Sequence, residues 1–215
     1  METFTQIFSF MMHIDSQLQV LIQQYGLYIY AILFVVVFGE TGFVVLPFLP
    51  GDSLLFIAGA FSADGLMNPW LLTVLLIVAA VLGNTVNYSI GRFIGKKAFE
   101  TDSRWISRDA LIKTHEFYER HGGKAIILAR FLPIVRTFAP FVAGVSEMNR
   151  VRFQQFNIIG AVLWVTIFVW GGYWFGSVPI IRDHLSTIAI IGFLAALIPA
   201  ALGFMWRLLQ RKKKM

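Results

Sequence analysis

The chain has 215 residues, 57% hydrophobic and only 14% charged, where soluble domains run nearer about 45–50% and about 25%. That balance excludes a water-soluble globule, and the net charge of +6 comes from basic residues flanking apolar runs too long for a soluble nucleic-acid binder, so no nucleic-acid partner is expected. The absence of cysteine excludes a disulfide framework, a thiolate metal site and a cysteine nucleophile.

Residues 1–25 carry no Lys or Arg and read as an amphipathic segment. A cleavable signal needs a basic start, so this one is expected to be retained. Gly26–Gly59 is apolar for 34 residues but contains Glu40, Pro47, Pro50, Gly51 and Asp52. Trp70–Ile94 is long and apolar enough to cross a bilayer as one helix. Residues 96–124 read as a cytoplasmic amphipathic segment. Ala125–Val145 is apolar for 21 residues but contains Arg130, Pro133, Arg136 and Pro140. Phe153–Gly176 and Thr187–Trp206 are again simple spans, and residues 207–215 form a basic tail.

Proline removes a backbone donor and disfavours helix in the residue before it, so neither proline-broken stretch is one straight helix. Non-helical backbone at membrane depth survives only inside protein or beside a watery cavity. Both stretches are therefore expected to be re-entrant hairpins. All 18 Lys and Arg lie at or after Arg92, and the cytoplasmic flanks of spans carry the Lys/Arg excess. Residues 92–124 and the tail are accordingly placed in the cytoplasm, and the N-terminal segment and the loops 62–69 and 177–186 outside.

The chain also repeats itself. Phe48-Leu-Pro-Gly-Asp52 and Phe131-Leu-Pro-Ile-Val-Arg136 each open a segment that closes on Ala-Gly, at Gly59 and Gly144. Each is followed by a span ending in Gly-x-x-x-Gly, Gly91 to Gly95 and Gly172 to Gly176. The first span runs inward and the second outward, so the units, residues 26–95 and 125–176, form an inverted repeat. Such repeats with matching broken helices place a transporter's site near the midplane. The expected fold is one all-α polytopic membrane domain: two opposed re-entrant helical hairpins, three transmembrane helices and amphipathic helices.

Glu40 and Asp52 fall in the first hairpin, Arg130 and Arg136 in the second. A charge at the bilayer centre costs at least about 2.5–3.5 kcal/mol on insertion scales, so four require a reason. One reading is two structural ion pairs pinning hairpin to hairpin. The other gives the two signs different tasks. Arginine offers a permanent planar fork suited to a phosphate. Burial disfavours an ionised carboxylate and a neighbouring guanidinium favours it, which suits a group that takes up and releases a proton. Arg130 and Arg136 are thus candidate phosphate ligands, and Glu40 and Asp52 candidate proton-coupling residues. Asn84 and Asn87 share a helix face that either lines the cavity or hydrogen-bonds a neighbouring helix. Pro50, Gly51, Pro133, Pro140 and Asn157 complete the candidate cavity and hinge positions.

These residues carry a resemblance. Phe38-Gly-Glu40-Thr-Gly-Phe43 with Pro47-Phe-Leu-Pro-Gly-Asp52-Ser-Leu54 resembles the first signature of the DedA family of bacterial inner-membrane proteins, also called SNARE-associated or VTT-domain proteins. It continues through Asn87-Tyr-Ser-Ile-Gly91-Arg92, His121-Gly-Gly123, Ala129-Arg130 to Gly144, and Phe156-Asn157-Ile-Ile-Gly160-Ala-Val-Leu-Trp164. The resemblance covers roughly residues 13–180 and implies two opposed re-entrant hairpins. It also implies transport of lipids, undecaprenyl phosphate in some members and phosphatidylethanolamine in others. The family's acidic pair falls on Glu40 and Asp52, its arginine pair on Arg130 and Arg136.

His115 and His121 lie six apart, pointing about 120° away from each other on a helix, which does not make a zinc site. No metal or cofactor is expected. The Gly-x-x-x-Gly strings are either dimer faces or close packing within one chain, so a homo-oligomer stays open. Arg92 is either a snorkelling flank or functional. The sequence therefore points to a transporter, not an enzyme, moving a phosphate-bearing lipid between leaflets of the bacterial inner membrane with protons or sodium as coupling ion, its C-terminus cytoplasmic. The alternatives are an intramembrane lipid-phosphate enzyme and a structural or assembly protein.

Overall fold

A computed structural model describes residues 26–43, 51–100, 123–176 and 178. The N-terminal segment, Pro47 and Pro50, the two histidines of residues 101–122, the span 187–206 and the basic tail lie outside the described residues. Within them the chain is helical throughout: α1 Tyr28–Gly42, α2 Gly51–Ala63, α3 Pro69–Glu100, α4 Lys124–Ala129, α5 Pro133–Val145 and α6 Arg150–Phe175.

Among the described residues two helices are long and apolar enough to cross a bilayer, Pro69–Gly95 within α3 (27 residues) and α6 (26 residues). At 1.5 Å per residue each reaches about 40 Å. α3 runs on to Glu100, five residues into the stretch read as a separate amphipathic segment. The two spans are antiparallel. Trp70, at the start of α3, packs edge-on to Trp170 near the end of α6, with ring centres 4.7 Å apart. Tyr88, late in α3, stacks on Phe153 at the start of α6 at 4.3 Å.

Each proline-rich stretch forms two helices as expected. In the second, Arg130–Leu132 form the turn and Pro133 opens α5, where its missing N–H has no intrahelical partner to lose. Pro140 lies buried inside α5, which runs through it. Proline there withholds the bond to the carbonyl four residues back, and Asn87 Nδ2 donates to the adjacent Thr137 carbonyl at 2.9 Å.

The two repeats exchange arms. α1 packs on α3 and α4 on α6, each first arm on its own repeat's span. The second arms cross over: α2 lies on α6 and α5 on α3. Glycines set these crossings. Gly59 of α2 meets the Val169 carbonyl, and Gly172 of α6 meets that of Phe56. Gly144 of α5 meets the Tyr88 carbonyl, while Gly91 and Gly95 of α3 meet those of Phe141 and Val145. A methyl at any of these positions would overlap backbone. Both Gly-x-x-x-Gly strings are therefore occupied within the chain.

The reciprocity extends to the caps. Asn68 Oδ1 accepts from Trp70 N and Leu71 N at 3.0 and 3.1 Å, and Asn149 Oδ1 from Val151 N and Arg152 N at 2.9 and 3.2 Å. Each satisfies two of the orphan donors at a span's start. The preceding Met67 and Met148 are both buried. Arg92 donates to the Tyr88 hydroxyl at 2.9 Å, which itself donates to the Met148 carbonyl, tying the end of α5 to α3.

Candidate functional site

The ends of α1 and α4 and the starts of α2 and α5 bring four charged residues together beside α6. Glu40 closes the last turn of α1 and Asp52 opens α2; Arg130 caps α4 and Arg136 lies in the first turn of α5. The first repeat thus supplies the acids and the second the bases. Asp52 sits well at a helix N-terminus, whose dipole favours anions. Arg136 sits badly at one and needs negative neighbours.

It has two. Arg136 Nη1 donates to Asp52 Oδ1 at 2.5 Å and Nη2 to Glu40 Oε1. Trp164 of α6 holds the assembly from the side: its Nε1 donates to Asp52 Oδ1 at 2.8 Å, and its ring centre lies 5.2 Å from the Arg136 guanidinium carbon, a cation–π distance. Glu40 is 1% exposed and the Asp52 side chain 31%, so only one of the two acids is open to its surroundings. Gly51 is where Glu40 fits: a side chain there would fall on the Glu40 carboxylate. Glu40 Oε2 has no hydrogen-bond partner among the described residues.

Arg130 is held differently. It is 3% exposed, and no carboxylate among the described residues pairs with it. Its Nη2 donates to Asn157 Oδ1 at 2.6 Å and to the Asn157 carbonyl at 3.3 Å, and its Nε is buried without a partner among the described residues. Gly160 clears the space: a Cβ there would lie 2.9 Å from Arg130 Cδ. The sequence suggested two acids set against two arginines. Both acids instead converge on one.

Arg130, Arg136, Glu40, Thr41, Asn84, Thr137 and Trp164 line one cavity of about 10 Å³, room for about one water. Asn84 therefore lines the cavity, and its Nδ2 donates to Asn157 Oδ1 at 3.2 Å. Asn87 does not line it: its Nδ2 bridges the Thr41 and Thr137 carbonyls at 3.1 and 2.9 Å, joining α1 and α5 through α3. Thr41, Thr137 and Trp164 carry no role in the sequence reading, although all three lie within the family strings. Trp164 also stands at i+7 from Asn157, on the same face of a long helix.

A VTT-domain model matches residues 49–174. The chain is 48% identical over 199 residues to Protein DedA of Escherichia coli K12, covering 91% of each. It is 40% identical over 170 residues to an uncharacterized membrane protein of Mycobacterium leprae, covering 79% of this chain and 76% of that one. With the Escherichia coli K12 inner membrane protein YqjA the identity is 38% over 159 residues, covering 73% and 71%. No solved structure matches. The broken helices, the acids of one repeat set against the arginines of the other and these likenesses agree: the chain is a membrane protein of the VTT-domain, or DedA, family.

Proposed function

We propose that the chain is a secondary transporter that moves a phosphate-bearing lipid, such as undecaprenyl phosphate or a phospholipid, between leaflets of the bacterial inner membrane, and that protons drive it. The observation that carries this reading is the uneven pairing. Arg136 is compensated twice while Arg130, in the same buried cavity, faces only amide and carbonyl groups. A buried cation without a counter-charge is costly, and a phosphate supplies both the charge and a pair of oxygens that match the planar guanidinium fork.

The charges also suggest the coupling. With both acids ionised, the Arg136 cluster carries one net negative charge and repels an incoming phosphate. One proton, taken up by either acid, makes the cluster neutral and leaves Arg130's charge unopposed. Proton binding then gives the lipid a differential affinity for two states, which is what a coupled transporter requires.

In this reading α1–α2 enters the membrane from outside and α4–α5 from the cytoplasm, both as re-entrant hairpins, with the tail cytoplasmic. The antiparallel spans and the position of the charges along them support that placement. In the sequence all four histidines, His13, His115, His121 and His184, fall at the ends of spans or in loops and none within the proline-broken stretch of Arg130 and Arg136, which favours transport over an intramembrane phosphatase. The purified full chain in liposomes tests it. Transbilayer movement of labelled lipid across a panel of head groups is expected, accelerated by a proton gradient. Release of free phosphate would make it an enzyme, and neither activity would leave the charges a structural role.

A further inference from the structure

Asn157 is completely buried at the centre of a polar cluster with one orientation available to its amide. Its Nδ2 donates to the Val81 carbonyl and to Gln154 Oε1, both at 3.1 Å, and to Thr85 Oγ1 at 3.4 Å. Those three acceptors fix the nitrogen, so Oδ1 turns toward Arg130 and Asn84. The group set against the buried guanidinium is an amide, where an aspartate of almost the same volume would close an ion pair.

We infer that Asn157 is a positioning residue that withholds counter-charge: it orients Arg130 through a neutral oxygen and thereby reserves the guanidinium's charge for a phosphate group. This rests on the transport reading above and adds to it the reason why Arg130 stays available. An amide also leaves the contact exchangeable. A phosphate oxygen displaces a neutral acceptor more readily than a carboxylate, because a carboxylate adds the attraction of opposite charges to the hydrogen bond.

Asn157→Asp tests the inference. The charged groups around the new carboxyl are Glu40 on α1, Asp52 on α2, Arg130 at the end of α4 and Arg136 on α5. At neutral pH the introduced carboxylate competes with phosphate for Arg130, and transport is expected to slow by more than about tenfold, as expected for a close charge pair. As the pH falls the new carboxyl takes up a proton and again presents a neutral acceptor. Transport by Asn157→Asp, divided by that of the wild type at the same pH, should therefore rise steeply toward acid. Asn157→Ala, which loses orientation but adds no charge, should give a ratio flat with pH.

The assay uses the full chain in vesicles, with whichever labelled phosphate-bearing lipid the wild type moves fastest. A wild type that moves none defeats the transport reading itself. A wild type that moves lipid while Asn157→Asp and Asn157→Ala give the same flat ratio defeats this inference alone and returns Asn157 to packing. Because Asn157→Asp also loses the three donated hydrogen bonds, thermal unfolding of each variant is followed in parallel. If Asn157→Asp is unfolded across the whole range, Asn84→Asp, on the other donor to the same oxygen, replaces it with the same expected profile, and a flat ratio there overturns the inference.

Discussion

Replacing Arg136 by lysine keeps the charge and removes the fork. In the wild type two separate nitrogens serve two carboxylates, Nη1 for Asp52 and Nη2 for Glu40, and the guanidinium plane packs beside Trp164. A single ammonium on a shorter reach retains one good contact and leaves the other carboxylate poorly paired; for Glu40, 1% exposed, water does not make up the loss. One charge-assisted hydrogen bond is worth about 1.5–3 kcal/mol, so Arg136→Lys should destabilise by about 2 kcal/mol. Arg136→Ala strands both acids and should cost about 3–5 kcal/mol. Arg130→Lys loses only bonds to an amide and a carbonyl and should cost about 1 kcal/mol, while still impairing transport, because phosphate loses its bidentate partner. Denaturant unfolding of the purified protein in detergent gives these differences. The pairing itself is tested by a double-mutant cycle with Glu40→Gln, whose loss should overlap with that of Arg136→Lys because they share a contact. Strictly additive losses, or an Arg130→Lys as damaging to stability as Arg136→Lys, would refute the uneven pairing.

Glu40→Gln and Asp52→Asn should each lose the acceleration of transport at lower pH while still binding lipid; vesicle assays from pH 5 to 8 read this, and an unchanged slope in both would end their role in coupling. Gly144→Leu and Gly59→Leu should each lower stability by about 1–3 kcal/mol or more, because the new side chain meets backbone of α3 or α6 with nowhere to move; thermal unfolding that matches the wild type would contradict the close crossing. Cysteines at the two hairpin-to-span connections should label from opposite sides: Leu66→Cys from outside and Glu147→Cys from the cytoplasm, and labelling from the same side would rule out the inverted arrangement.

The repeat in the sequence located both breaks and both glycine crossings because those features are local: a proline at a helix start, a missing side chain every fourth residue. The pattern ran further than the strings suggested, since Met67-Asn68 and Met148-Asn149 repeat the same buried methionine and cap. What spacing could not reveal was the partner of each charge. Glu40 and Asp52 meet at Arg136 because α2 and α5 lie across the opposite spans, a long-range choice written in the shapes of Gly59, Gly144 and Trp164 rather than in the hairpins themselves. For the same reason Asn157 read as a cavity or hinge position without a partner assigned to it. Only its three acceptors on α3 and α6 turn its oxygen toward Arg130.

The exchange of second arms also orders events during synthesis. Asp52 finds Arg136 only after 84 further residues have been made, and the face of α2 around Gly59 waits for Val169 on a helix not yet translated. At about 5–20 residues per second, the first half of the chain spends several seconds beside the insertion machinery with its carboxylates unanswered and its glycine seam bare. Neither half can finish alone, so a ribosome pause or a truncation before α6 leaves an acidic, half-built hairpin for quality-control proteases to find. The arrangement that lets two repeats share one site makes α6 the element on which both halves wait.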